Sequence, residues 1–101
     1  MYVYNLTTQV EYSIHKEWLQ WQQEEHIPAI MATKQFTTHH FFRLLEQDES
    51  IGVTYVTQFV APTAHHYKKY MDDFAPFFRE QAQGKWGNRF VDFPTVMEIM
   101  H

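Results

Sequence analysis

A histidine and a neighbouring carboxylate stand where a proline interrupts a helical segment. His26 follows Glu25 and precedes Ile27-Pro28 in the stretch SIHKEWLQWQQEEHIPAIMAT, residues 13–33. A histidine beside a carboxylate can act as an acid, a base or a hydrogen-bond partner for a ligand. The alternative is structural. Helix ends leave carbonyl groups without partners, and His26 would then cap those freed by Pro28.

Four aromatic residues are candidates for the walls of a pocket around His26. Trp18 and Trp21 are placed on one side of a helix by their spacing, while Phe36 and Tyr55 belong to predicted strands. Such a set is typical of a hydrophobic core, and it is also what an aromatic ligand would contact. The sequence therefore predicts a candidate ligand pocket between the first helix and the sheet, with core packing as the alternative.

Other polar residues offer weaker candidate sites. Arg43 lies in a predicted strand, where it could anchor a carboxylate ligand or pair with an acidic neighbour. His39 and His40 face opposite sides of a strand, and His15 is three helical turns from His26, so neither pair can hold one ion. With Gly 3 in the chain there is no glycine-rich phosphate loop. The sequence predicts no metal and no cofactor.

Composition limits the classes of partner. The chain has 101 residues and is 45% hydrophobic and 18% aromatic, enough for one domain with its own core. A formal net charge of −4 without a basic cluster argues against nucleic acid and against an anionic membrane surface. No apolar run reaches membrane-spanning length, the first residues lack the basic and long apolar start typical of a signal peptide, and there is no cysteine. We expect a cytoplasmic protein.

The first predicted helix contains Pro28 and is expected to break. Ser13 is its predicted N-cap, and a continuous helix would place Glu25 inside the tryptophan stripe. Because proline has no N–H and restricts the residue before it, the break is predicted at His26–Ile27, with a short second piece after it.

The second predicted helix begins after Thr63 as its N-cap, is kinked at Pro76 and ends at Gly84. Trp86 then lies in a loop, either as a lid or, in the preferred interpretation, as a contact that holds the helix end against the sheet. The last strand has an apolar face and carries Pro94, which fits best near a sheet edge. That face comprises Val91, Phe93, Met97 and Ile99.

The predicted elements define a fold. Apolar alternation places the strands at residues 2–10, 36–46, 51–60 and 89–99. The order β-α-β-β-α-β predicts a ferredoxin-like α+β fold for residues 1–101, a single domain with a four-stranded antiparallel sheet and two helices on one face. Because the two middle strands are apolar on both faces in places, something other than water is expected to cover part of the second face.

The combination Trp18-x-x-Trp21-x-x-x-x-His26-Ile27-Pro28, followed by Phe36, resembles domain-of-unknown-function family 4286, which consists of small bacterial proteins. The resemblance covers essentially the whole chain, with weaker matches at Tyr4-Asn5, Thr54-Tyr55, Ala75-Pro76 and Phe90-Val91. This family is similar in turn to the dimeric α/β-barrel superfamily, where two ferredoxin-like sheets pack face to face. The resemblance thus implies a homodimer through the open sheet face, and it implies no particular activity.

The superfamily resemblance also bears on two residues. In better-known relatives a histidine in a comparable pre-proline position often borders a cavity, which fits His26. Asn5 resembles an asparagine of haem-degrading monooxygenases in the superfamily. Their tryptophan and second-helix histidine are not matched convincingly, because His65 and His66 lie off the apolar arc of the second helix.

Three functions follow as hypotheses. The first is binding of a small apolar or aromatic ligand between helix one and the sheet. The second is a non-catalytic structural or interaction module, and the third is a cofactor-independent or haem-type monooxygenase-like enzyme. The candidate ligand-binding residues are His26, Glu25, Trp18, Trp21, Phe36, Tyr55, Asn5 and Arg43.

Overall fold

The structure is a computed structural model and describes residues 1–100. Within this range the chain forms four strands and two interrupted helical segments. In chain order these are β1 Tyr2–Glu11, α1 His15–Trp21, a π-helical turn Gln22–His26, α2 Ile27–Met31, β2 Thr38–Arg43, β3 Gly52–Ala61, α3 Ala64–Asp73, α4 Ala75–Trp86 and β4 Phe90–Glu98. No helix within this range combines the length and the apolar character needed to cross a bilayer.

The strands form one antiparallel sheet in the order β2-β3-β1-β4. This is the ferredoxin-like arrangement, so the predicted α+β class and four-stranded antiparallel sheet are confirmed. β4 is an edge strand, which explains how Pro94 is tolerated without an N–H to donate. The strand predicted at 36–46 is shorter at both ends, Thr38–Arg43, and Phe36 is buried ahead of it.

One face of the sheet packs against the helices and the other is open. Tyr4 pairs with Phe59, and both belong to the core beneath the helices. Thr7 lies on the opposite face, directly between Val56 and Phe93. Since side chains alternate along a strand, these pairs assign every position of the sheet to one face or the other.

The apolar side of β4 is the open side. Phe93 is 57% exposed, and Val91 and Met97 share its face. Asp92 and Pro94 instead pair with Thr8 and Leu6 on the helix-covered face. The hydrophobic residues predicted for this strand therefore face away from the helices, and a carboxyl group lies beneath them.

The first helix does not break where the proline predicted it. Ile27 keeps helical angles (φ −59°, ψ −48°), and its N–H donates to the carbonyl of Gln22, five residues back. This π-helical turn accommodates Pro28, whose ring would crowd the carbonyl four residues before it. The wider turn also leaves Glu25 exposed rather than in the tryptophan stripe. The predicted cap is wrong as well, since α1 starts at His15 without a side-chain cap.

The second helical segment is divided at Phe74, whose φ of −122° separates α3 from α4. Thr63 is the predicted N-cap, accepting a hydrogen bond from the N–H of His66 at 3.2 Å. Pro76 lies in the first turn of α4, where its missing N–H costs nothing. The helix continues through Gly84 to Trp86 and ends at Gly87, whose φ of 62° suits glycine.

Candidate functional site

A cleft of about 230 Å³ lies where α2 and α4 cross the β1–β4 side of the sheet. Its walls are largely apolar, and its polar groups come from two tyrosines, a histidine, an arginine and an aspartate. The lining residues are Tyr4, Leu6, His26, Ile30, Tyr70, Ala75, Phe78, Arg79, Ala82, Asp92 and Pro94. An apolar cleft with a few convergent polar groups has the general character of a small-molecule site.

His26 is held rigidly at the inner end of this cleft. Its ring stacks on Trp21 with centroids 4.3 Å apart and meets the edge of Phe78 at 6.0 Å. Burial lowers the pKa of His26 to about 4, so the imidazole is neutral at pH 7. A neutral ring offers one N–H donor and one acceptor nitrogen.

A buried chain of hydrogen-bonded side chains determines which ring nitrogen of His26 carries the proton. Gln22 is 3% exposed and Thr57 is 0% exposed. The amide nitrogen of Gln22 donates to the Thr57 hydroxyl at 3.0 Å, and its oxygen lies 2.6 Å from Nδ1 of His26. With the amide in this orientation Nδ1 carries the proton, which leaves Nε2 as a hydrogen-bond acceptor. His26 therefore bonds to a side chain and does not cap a helix carbonyl.

Two buried tyrosines line the same cleft. Tyr4 is 3% exposed and Tyr70 is 2% exposed, with their rings 5.7 Å apart. Burial raises the pKa of both above the ordinary tyrosine value, although the nearby charge of Arg79 acts in the opposite direction. Both phenols are therefore protonated at neutral pH and able to donate.

Two residues of opposite charge, Arg79 of α4 and Asp92 of β4, line the cleft without forming a salt bridge. Asp92 accepts a hydrogen bond from the hydroxyl of Thr8 at 2.6 Å. Solvent reaches Asp92, yet partial burial raises the pKa of its carboxyl, while the Thr8 bond and the charge of Arg79 act in the opposite direction. The exposed Arg79 thus faces a carboxyl group of opposite charge.

The aromatic residues predicted as pocket walls belong mainly to the core. Trp18 stacks on Tyr55 with centroids 5.4 Å apart, and Phe36 packs on Tyr70 at 4.7 Å. Trp18 and Trp21 border a narrow extension of the cleft of about 10 Å³ beside His26. The main cleft lies further along the sheet than expected, under α2 and α4 rather than between α1 and the sheet.

Three other candidate residues lie away from the cleft. Glu25 is exposed on the outer side of the helix. Arg43 forms an exposed ion pair with Glu49, with its closest N–O distance 2.8 Å, as the structural interpretation of Arg43 anticipated. Asn5 lies on the open face of the sheet and donates to Thr7 at 3.4 Å.

The residues that suggested a haem-type enzyme are likewise not brought together. Asn5 lies on the open face, and His65 is exposed in the first turn of α3. Within residues 1–100 no three side chains of histidine, cysteine, aspartate or glutamate are grouped to hold a metal ion.

Comparison with known proteins places the chain in a family. Residues 1–100 match the family model described as domain of unknown function DUF4286. The chain belongs to this family. A search of curated proteins found no match.

The DUF4286 chain also resembles a solved structure over its full length. The crystal structure of an ethyl tert-butyl ether d (EthD) family protein from Bacillus halodurans C-125 superposes with a TM-score of 0.68. The match covers 99% of this chain and 100% of that protein at 12% sequence identity. At this identity the likeness shows the fold alone, and it agrees with the ferredoxin-like topology.

Several residues of the DUF4286 cleft were not among the sequence candidates. Gln22 is four residues before His26, and this spacing brings two helical side chains together. The sequence therefore contained the information needed to predict their contact. Tyr4 was noted only beside Asn5, and Tyr70, Arg79 and Asp92 were not singled out. Only the pairing of β4 with β1 places Asp92 on the helix-covered face of the sheet.

Proposed function

We propose that this DUF4286 protein binds a small apolar or aromatic molecule in the cleft between α2, α4 and the β1–β4 side of the sheet. The observation that carries the proposal is the cleft itself, about 230 Å³ in volume with His26 at its inner end. A dry cavity of roughly 150 Å³ holds benzene in a well-studied example, so this volume suits a substituted ring. Apolar walls supply affinity, and the few polar groups supply orientation.

The cleft has the rigidity expected of a preformed site. Its floor is the central part of the sheet, since β1 is paired on both sides. The His26 ring is fixed by Trp21, Phe78 and Gln22, which act on it from different directions. A ligand that enters therefore does not have to order these groups, which keeps the entropic cost of binding low.

We also propose that two copies of the chain associate through the open sheet face. Phe42, Val56, Thr7 and Phe93 lie in one row across all four strands on this face. Phe42 and Phe93, at the two edges of this row, are 48% and 57% exposed, and large exposed apolar side chains favour a protein interface. The occupant is a second copy, because the dimeric α/β-barrel arrangement covers the same face in the fold that the sequence resembles.

This surface also favours a second candidate function, a non-catalytic interaction module in which the sheet face does the work. We further infer that the chain is one cytoplasmic domain, which its composition and uninterrupted sheet support. Residue 101, which the predicted domain includes, lies outside the described residues.

A pair of matched alanine substitutions tests ligand binding. Ala82 lines the cleft, whereas Ala29 is exposed on α2. A small aromatic probe such as indole should raise the melting temperature of the wild-type protein and of Ala29→Leu. Ala82→Leu fills part of the cleft and should lose that rise. An equal rise in all three proteins would contradict binding in this cleft, and no rise in the wild type across a panel of aromatic probes would favour the interaction module.

A further inference from the structure

Two hydrogen-bonding groups of cleft residues make no hydrogen bond within residues 1–100. The first is Nε2 of His26. Nδ1 is engaged by the buried Gln22, and Gln22 is in turn anchored to Thr57, so the ring cannot turn over without breaking its hydrogen bond to Gln22. The chain thus maintains an acceptor nitrogen on a residue that lines the cleft, and it buries two polar side chains to do so.

The second group is the hydroxyl of Tyr70. Within residues 1–100 it makes no hydrogen bond, although the residue is only 2% exposed and lines the cleft. Its oxygen is not fully enclosed, so it is open to a partner that enters the cleft. A phenol that is protonated and unpaired at a cleft wall can both donate to a ligand and accept from it.

Both groups border the same part of the cleft. The ring centroids of His26 and Tyr70 lie 6.0 Å and 6.3 Å from that of Phe78. His26 and Tyr70 both line the cleft, so a ligand oxygen beside Phe78 would lie close to both residues. The surrounding rings favour a flat aromatic body over a branched aliphatic one, because aromatic faces and edges pack well against one another.

The charges around the cleft disfavour a charged ligand. His26 carries no charge at pH 7. Arg79 is the cation that lines the cleft within residues 1–100, and it faces the oppositely charged Asp92. An anionic ligand would gain Arg79 but would also approach Asp92, and it would bring its charge into apolar surroundings at a cost in hydration.

We propose that the ligand class is a small neutral phenol, whose hydroxyl donates to Nε2 of His26 and accepts from the hydroxyl of Tyr70. This inference rests on the proposed function, since it names what the ligand-binding cleft selects. The preference comes from the polar pair, whereas the affinity for the ring comes from the apolar walls. The two contributions are therefore separable by experiment.

Three probes of matched shape test the inference by isothermal titration calorimetry at pH 7. They are 4-ethylphenol, 4-ethyltoluene, which replaces the hydroxyl by a methyl group, and 4-ethylbenzoate, which carries a negative charge. We expect 4-ethylphenol to bind about fivefold to tenfold more tightly than 4-ethyltoluene, which corresponds to about one net hydrogen bond. We expect 4-ethylbenzoate to bind more weakly than either.

Variants assign the preference to the named groups. His26→Phe keeps the stacked ring and removes the acceptor, so it should bind 4-ethyltoluene while losing most of the preference for 4-ethylphenol. Tyr70→Phe is the smaller change and should reduce the preference for 4-ethylphenol over 4-ethyltoluene by half or more. It provides the test if His26→Phe fails to fold. Tyr67→Phe removes a hydroxyl from a ring that packs on Tyr4 outside the cleft, and it should leave all three affinities unchanged.

The outcomes separate this inference from the proposed function. Equal binding of 4-ethylphenol and 4-ethyltoluene, or tightest binding of 4-ethylbenzoate, overturns the phenol preference and leaves an apolar binding site standing. Unchanged selectivity in both His26→Phe and Tyr70→Phe also overturns it. Failure of all three probes to bind the wild-type protein overturns the proposed function together with the inference.

Discussion

Gln22 accepts a hydrogen bond from Nδ1 of His26 at 2.6 Å and, through its amide nitrogen, donates one to Thr57 in the centre of the sheet. The three side chains connect the helical segment to β3 through the core. Gln22 and His26 are the first and last residues of the π-helical turn, and their spacing of four places both side chains on the same side of the helix. A turn that accommodates a proline thus also positions the histidine of the cleft.

The depressed pKa of His26 predicts a specific dependence of stability on pH. The unfolded histidine has a pKa of about 6.5, and the folded one a pKa of about 4. Because the unfolded state binds a proton that the folded state resists, stability is lost as the pH falls from about 6.5 towards 4. The contribution of His26 between pH 7 and pH 5 is about 2 kcal/mol.

Urea unfolding of the wild type and His26→Phe across this pH range isolates that contribution. Asp92, whose raised pKa acts with the opposite sign, is present in both proteins and cancels in the difference. His65→Gln changes an exposed histidine and should retain the wild-type slope. If the free energy of unfolding of His26→Phe depended on pH as it does in the wild type, a group other than His26 would be responsible for the pH dependence.

The buried polar chain predicts a coupled pair of substitutions. Gln22→Met leaves both the Thr57 hydroxyl and Nδ1 of His26 without partners in the core, which should lower the free energy of unfolding by about 1–3 kcal/mol. Adding Thr57→Val removes one of the two orphaned groups. The double variant should therefore be less destabilised than the sum of the single variants, by urea unfolding.

The comparison protein for this pair is Gln23→Met, which alters an exposed residue beside Gln22 and should change stability by less than about 0.5 kcal/mol. Strict additivity of Gln22→Met and Thr57→Val would mean that the two side chains do not depend on each other.

The strands were predictable from sequence, but the orientation of β4 was not. Alternation identified a strand with Val91, Phe93 and Met97 on one side. It did not show which side faces the helices, because the open face of this sheet is itself apolar. Hydrophobicity therefore does not distinguish the two faces of β4, and only its pairing with β1 shows which face lies towards the helices. The position of Asp92 in the cleft depended on that decision.

The helical segment shows what local rules can and cannot supply. Pro28 correctly indicated a disturbance, and the rule for the residue before proline predicted a break. Ile27 and Ile30 fall on the opposite side of an ideal helical wheel from Trp18 and Trp21, yet all four are buried. This phase change was visible in the sequence. That it is achieved by a π-helical turn depends on how the segment packs across two regions of the sheet.

The open sheet face predicts a dimer that a single charge disrupts. Phe93 is 57% exposed in the row that crosses the sheet, and Phe93→Lys would bury an unpaired charge if this face were covered. Multi-angle light scattering at micromolar concentration should show a dimer for the wild type and a shift towards monomer for the variant. Leu45→Lys, at a residue 72% exposed in the β2–β3 connection, should remain dimeric. A monomeric wild type would contradict the proposed assembly.

Substitution by alanine is predicted to have opposite effects at two glycines, because Gly52 lies where β1 and β3 approach closely and Gly84 lies in open space. A Cβ atom on Gly52 would overlap the carbonyl oxygen of Val10, and this obstacle is backbone that cannot rotate away. Gly52→Ala should therefore destabilise the protein by about 1–3 kcal/mol, the range for overpacked sites. Gly84 lies inside α4 with no heavy atom within 4 Å of a Cβ, so Gly84→Ala should stabilise it by about 0.5–1 kcal/mol. Thermal unfolding of the two variants gives the signs directly, and a stabilised Gly52→Ala would mean that the paired ends of β1 and β3 are further apart than described.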